Sequence, residues 1–419
     1  MKGPPPALAA LSLCLLLGSG ARAAAPADPA AQLRAALLQA ASSLDGLEAN
    51  KVWLQRLPFK LAPLSKRMFA HYEPPRAAEE LGEIQVNLDM IQPSLKALSA
   101  MGVGEADATV LLAWCILPTV IHETQHAVQV AEYRRRGALE VYFIESEIEA
   151  GAVGTVVYLQ VLDKRPDMAR FYLPLKGENT SDLETWGAGF GPFREAIVKA
   201  YASPLPVPSL AEARARFADQ AAATEETIQE LTQERLRAKD AQDRAALTRL
   251  IDGSRDALRE LRDPRIIEAT VGYIREQGEH AEALWSQWAK TDPRRRLESE
   301  AGLPPRERAR LAMRVAEQLE LASPTANAGK IEQYYAQARS DAVQARDGGL
   351  VARIGRRQVA AEGRRLDYAL DVVRGRAAAT DDQTLLRQIL QLNVEHLRPH
   401  LWPQHMRLIE EEARAALKK

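Results

Sequence analysis

The sequence predicts a mainly α protein: a small α+β domain, a short sheet beside a hairpin of helices, followed by an all-α helical domain. Three observations carry this. Ala, Arg, Leu and Glu are abundant while aromatics make up 5% of the chain, a composition rich in helix formers. Apolar residues recur at spacings of three and four along most of the sequence, the helical period. One segment, residues 82–90 (GEIQVNLDM), instead alternates Ile84, Val86, Leu88 and Met90 with polar partners, the period of a half-buried strand.

Composition narrows the classes further. With 419 residues, 46% hydrophobic and 26% charged, the chain can bury a core and is long enough for two domains. Lys plus Arg (55) balances Asp plus Glu (56), which argues against a dedicated nucleic-acid binder. Two cysteines are too few for a disulfide framework or a cysteine-based structural zinc site.

The elements follow in order. Residues 1–23 read as a secretory signal peptide: a basic start at Lys2, an apolar run over 7–17, and Ala21-Arg22-Ala23 at a cleavage site. The apolar run is too short to span a bilayer comfortably. Cleavage after Ala23 removes Cys14 and leaves Cys115 alone, in a protein expected to be secreted or periplasmic and without a stable membrane span. Residues 30–47 form an Ala/Leu-rich helix, and 52–75, with its prolines and aromatics, gives no firm element. After the strand at 82–90 comes a short helix over 93–101. A strongly apolar helix covers 106–117, where Pro118 either kinks it or opens the next one. The helix over 119–136 ends with Arg134, Arg135 and Arg136 in its last turn and Gly137 beyond, as helices do. A second helix within 140–162 turns back on it. Residues 177–192, with Gly187, Gly189 and Gly191, read as a loop.

The first domain is therefore expected over 24–203. Pro204, Pro206 and Pro208 mark a linker over 204–209, and 210–419 form the helical domain. There Phe217, Ala221, Thr224, Ile228 and Leu231 make one apolar stripe and Leu247, Leu250, Ile251, Ser254, Leu258 and Leu261 another, so a long helical hairpin is expected. Further helices are expected over 264–290, 305–321, 331–374 with a break at Gly348-Gly349, and 381–419. This half carries no internal chemistry signal. It is a candidate surface for a protein partner.

The chemistry lies in His122-Glu123-Thr124-Gln125-His126, an HExxH pattern. Residues four apart on a helix share a face, so His122 and His126 can grip one cation with two imidazoles. Glu123 sits about 100° round the helix, beside the cation, where it can take a proton from the attacking water. Apolar flanks (Leu117, Val120, Ile121, Val128, Val130) fit a buried helix. A zinc site of this kind needs a third protein ligand and an open position. The returning helix offers Glu145, Glu147 and Glu149. Glu147 is favoured because its helical face carries Ala150, Gly151 and Gly154, whose small size permits close approach, with Glu145 and Glu149 as alternatives. The pattern ExxH within the motif also suits a di-iron bundle, but no second ExxH exists.

HETQH followed by Glu147-Ile148-Glu149-Ala150 resembles the gluzincin class of zinc metallopeptidases, over about residues 82–162. The resemblance implies zinc held by His122, His126 and Glu147, with Glu123 as the general base in hydrolysis of a peptide or protein substrate. It also implies that the strand 82–90 is the edge strand that receives extended substrate. Many such proteins carry Asp or Asn after the ExEA alanine to orient a ligand histidine; here Gly151 stands there. Support for the ligands must then come from Glu145, Glu149 or elsewhere, and a zincin-like scaffold without activity is the rival expectation. Tyr142, Tyr158, Tyr172, His71 and His280 are the candidate oxyanion donors.

Overall fold

The computed structural model describes residues 28–65, 69–75, 81–140, 143–165, 168, 181–201, 210–299, 302–322, 327–379 and 403–416. The expected signal peptide and linker lie outside these. The chain is mainly α-helical with one small sheet, as the composition and periodicity predict.

The helix expected over 30–47 is α1 (Pro29–Ser42), which stops short of 47, and a second helix, α2 (Glu48–Arg56), runs into the stretch that gave no firm element. The turn between them contains Gly46 with φ +70°, a conformation that L side chains resist. Three strands follow: β1 (Phe59–Ala62), β2 (Ala70–Glu73) and β3 (Glu83–Asn87). The sheet order is β1-β3-β2, with β1 parallel and β2 antiparallel to β3, Tyr72 standing opposite Ile84. The strand expected over 82–90 is therefore shorter than predicted. It ends at Asn87 because that side chain caps the next helix, accepting from the Asp89 N–H at 3.1 Å. Leu88 and Met90 belong instead to α3 (Leu88–Ala100).

α4 (Glu105–Arg136) runs straight through Pro118 as one helix. A proline inside a helix costs about 3 kcal/mol. Around it, however, Leu112, Ile116, Leu117, Val120 and Ile121 are all buried, each contributing about 1.5–3 kcal/mol, so packing overrides the local penalty. α4 ends on Gly137 at φ +60°, the left-handed cap expected from sequence. α5 (Ile144–Lys164) returns against it, completing the expected hairpin. The main core joins α1, α2, α4 and α5 to the sheet.

The glycine-rich stretch expected to be a loop holds two helices, α6 (Ser181–Ala188) and α7 (Phe190–Tyr201). Trp186 and Phe193 are fully buried and pack edge to face, centroids 4.8 Å apart, so apolar burial outweighs the glycines.

α8 (Leu210–Arg237) and α9 (Ala241–Arg262) pair as the expected hairpin. Phe217, Ala221 and Ile251 are buried, but Leu250 of the predicted stripe is 57% exposed. α10 (Pro264–Thr291) then packs directly on α5. α11 (Pro293–Ser299), α12 (Pro305–Ala322), α13 (Ala328–Gln344) and α14 (Gly348–Ala379) follow. A core of Ala309, Ala312, Ile331, Tyr335 and Ile354 joins α12, α13 and α14. The break expected at Gly348-Gly349 falls just before them, where Arg346 takes φ 52° and the Asp347 carboxylate accepts from the Leu350 N–H. α15 (Pro403–Ala416) packs on α14. Among the described residues no helix is long and apolar enough to cross a membrane.

Candidate metal centre

The HETQH turn lies in the middle of α4, and its side chains meet three different neighbours, α2, α5 and β2. Thr124 and Gln125 face α2, where the buried Asn50 amide donates to both, at 3.3 and 3.0 Å. His122 and His126 face α5, one turn apart, with Nε2 atoms 3.2 Å from each other. Glu123 turns toward the sheet, where its Oε2 accepts from the backbone N–H of Tyr72 at 2.8 Å.

The third partner comes from the first turns of α5. Glu147 Oε2 lies 3.3 Å from His122 Nε2, and Oε1 lies 3.6 Å from His126 Nε2. The helices can approach this closely because Gly154 stands against α4. A Cβ there would be 3.1 Å from the Pro118 carbonyl oxygen and 3.5 Å from His122 Cβ. Gly151, invoked for the same purpose, faces Phe193 and Ile197 of α7 instead.

Three residues thus offer ligand atoms that all lie within 4.8 Å of one another. Ligands about 2.1 Å from a tetrahedral zinc stand about 3.4 Å apart; the two Nε2 atoms are 3.2 Å apart, and each has one of the two Glu147 oxygens, a different one in each case, at 3.3 or 3.6 Å. Glu147 Oε2 is buried and has no hydrogen-bonding partner among the described residues, although an imidazole stands at ion-pair distance. A buried carboxylate oxygen without a donor is costly, and a cation between the three side chains would satisfy it. The donor set and its spacing therefore fit a zinc ion.

Electrostatics agree in sign. Burial by itself depresses the His126 pKa, but the Glu147 carboxylate, with help from Glu123, reverses this and lifts it to about 9. Burial raises Glu147, yet the two imidazoles hold it well below the usual carboxylate range.

The other two glutamates point elsewhere. Glu145 is buried and pairs with Arg194 of α7 at 2.8 Å. Glu149 is buried between Gln129 of α4, which donates to Oε2 at 2.7 Å, and His280 of α10, whose Nδ1 lies 2.7 Å from Oε1. Gln129 in turn reaches His126, its Oε1 lying 2.8 Å from Nδ1. Neither Glu145 nor Glu149 belongs to the metal-ligating group.

Two expectations need correction. The strand expected to be the substrate edge, β3, is the central strand of the sheet, hydrogen-bonded on both sides. The edge beside the motif is β2, whose Tyr72 amide touches Glu123. The helical half, read as carrying no chemistry signal, supplies His280 and Gln277, the latter a partner of Ser146 across 3.3 Å. Of the oxyanion candidates, Tyr158 packs in the main core near Cys115. His71 is half-exposed beside Glu73, and His280 is committed through Nδ1 to Glu149. Tyr142 and Tyr172 lie outside the described residues.

Sequence reasoning missed Asn50, Tyr72 and Gln129. Gln129 alone left a local trace, being three residues beyond His126 and so on the same side of the helix. Asn50 and the β2 amide come from distant segments with no pattern of their own.

No protein-family model, curated protein or solved structure matches this chain.

Proposed function

We propose that this protein is an extracytoplasmic zinc-dependent metallopeptidase of gluzincin type. The observation that carries the reading is the convergence of His122, His126 and Glu147, from two helices, with one ligand atom from each within 4.8 Å of the others and Glu123 turned away toward β2. His122, His126 and Glu147 would hold the ion. Bound there, zinc would lower the pKa of water and polarise a peptide carbonyl.

The chain's own residues supply the rest. The Tyr72 N–H fixes one oxygen of Glu123, so the carboxylate has a set orientation and its other oxygen can accept the proton of the attacking water. Glu123 then returns that proton to the departing amine. The basic, apolar start of the sequence, with Ala21-Arg22-Ala23, supports export.

Metal analysis of the purified protein tests this, with about one zinc per chain expected. Glu123→Gln should retain that zinc and lose hydrolysis of a mixed peptide library. Zinc uptake by a wild type that cleaves nothing would leave a zincin-like scaffold, and unchanged cleavage by Glu123→Gln would remove Glu123 as base.

A further inference from the structure

We propose that Gln129 is a positioning residue that fixes the ring state of His126, so that its Nε2 presents a lone pair to the metal. This deepens the metal-site reading above and rests on it. A neutral imidazole carries its proton on one nitrogen or the other, and only the bare nitrogen can ligate. Which one is bare depends on what the opposite nitrogen meets.

At His126 Nδ1 meets the side-chain amide of Gln129, 2.8 Å away. An amide offers either its oxygen, which demands N–H on Nδ1, or its nitrogen, which demands a bare Nδ1 and puts the proton on Nε2. The second arrangement would block ligation. Its other two partners settle the choice. The Gln129 Nε2 group lies 2.9 Å from the Ser146 carbonyl oxygen and 2.7 Å from Glu149 Oε2. A carbonyl and a carboxylate only accept. Both amide hydrogens are therefore committed away from His126, and Oε1 must face Nδ1.

A flipped amide would set its oxygen against two acceptors and leave them without donors. Gln129 is 2% exposed and Glu149 5%, so water could not compensate. The arrangement is tied at its far end by His280 of α10, whose Nδ1 meets the other Glu149 oxygen. Hydrogen bonds thus run from the metal ligand on α4, through the carboxylate two residues beyond Glu147, to a helix in the second half of the chain. This fills the role left open by Gly151.

Zinc affinity of the full chain, measured by competition with a chromophoric chelator, tests the assignment without reference to activity. Gln129→Leu should weaken zinc binding about 10–100-fold. In zinc-loaded wild type, histidine nitrogen NMR should show the His126 proton on Nδ1. A folded Gln129→Leu protein that binds zinc within about twofold of wild type, or His126 bound through Nδ1, overturns the role of Gln129. A wild type that takes up no zinc overturns the metal site itself, and the inference with it.

Discussion

Two glycines on α5, three residues apart, should respond oppositely to the same substitution. At Gly154 an added Cβ meets the Pro118 carbonyl at 3.1 Å, whereas ordinary contact begins at 3.4 Å. One helix must therefore yield by about 0.3 Å, and the obstacle is backbone inside the main core. Overpacking of this kind costs about 1–3 kcal/mol, against a helix-propensity gain of about 1 kcal/mol for Gly→Ala. Gly154→Ala should be neutral to about 2 kcal/mol less stable. At Gly151 the nearest atom is the Ile197 Cδ1, at 3.2 Å, the end of a side chain that can rotate. There the propensity gain should survive, and Gly151→Ala should match or exceed wild type by up to about 1 kcal/mol. Urea unfolding in chelator, with unchanged slope, reads the difference as a midpoint shift. The same displacement acts two turns away, between Glu147 and His122, so Gly154→Ala should also bind zinc more weakly while Gly151→Ala does not. Equal stability and equal zinc affinity in the two variants would refute the claim that Gly154 sets the approach of α5 to α4.

Other outcomes follow from the same geometry. Glu147→Ala should lose zinc, whereas Glu145→Ala should keep most of it and lose folding stability, since Glu145 is buried against Arg194; metal content beside a thermal melt separates the two. In metal-free protein the paired charges should give stability a defined pH window. Glu147 has a folded pKa below its ordinary 4.5, so its contribution is present above 4.5 and lost as pH falls through the folded value. His126 has a folded pKa raised from 6.5 to about 9, so its contribution is complete below 6.5 and lost as pH rises through 9. Urea midpoints in chelator should therefore be highest between about pH 4.5 and 6.5 and decline toward pH 9. A flat profile across that range would show that the His126–Glu147 pair does not contribute. Saturating zinc should flatten the alkaline decline, because the ion then replaces the proton.

Local periodicity made part of this legible. The shared face of His122 and His126 needs only 3.6 residues per turn. The hairpin of α4 and α5 announces itself through Arg134–Arg136, Gly137 and the apolar runs on either side. Where a helix meets its cap, local rules also misled: Asn87 stops β3 early because its side chain bonds forward to Asp89, and the glycines around Trp186 suggested a loop that burial turned into helices. β2 was invisible because four residues carry too little pattern to register.

What the residues determined unaided was a set of facing directions along single helices: two imidazoles together, a carboxylate to one side, three glutamates on the next helix. Which of those glutamates meets the imidazoles was settled by packing, since Gly154 lets α5 close on α4 while Arg194 and His280 draw Glu145 and Glu149 to other helices. The position of β2 beside Glu123, and of α10 behind Glu149, likewise depends on contacts between residues some 50 to 130 positions apart. Such contacts form only after the intervening chain has collapsed, and a linear pattern holds no record of which distant surfaces will then be neighbours.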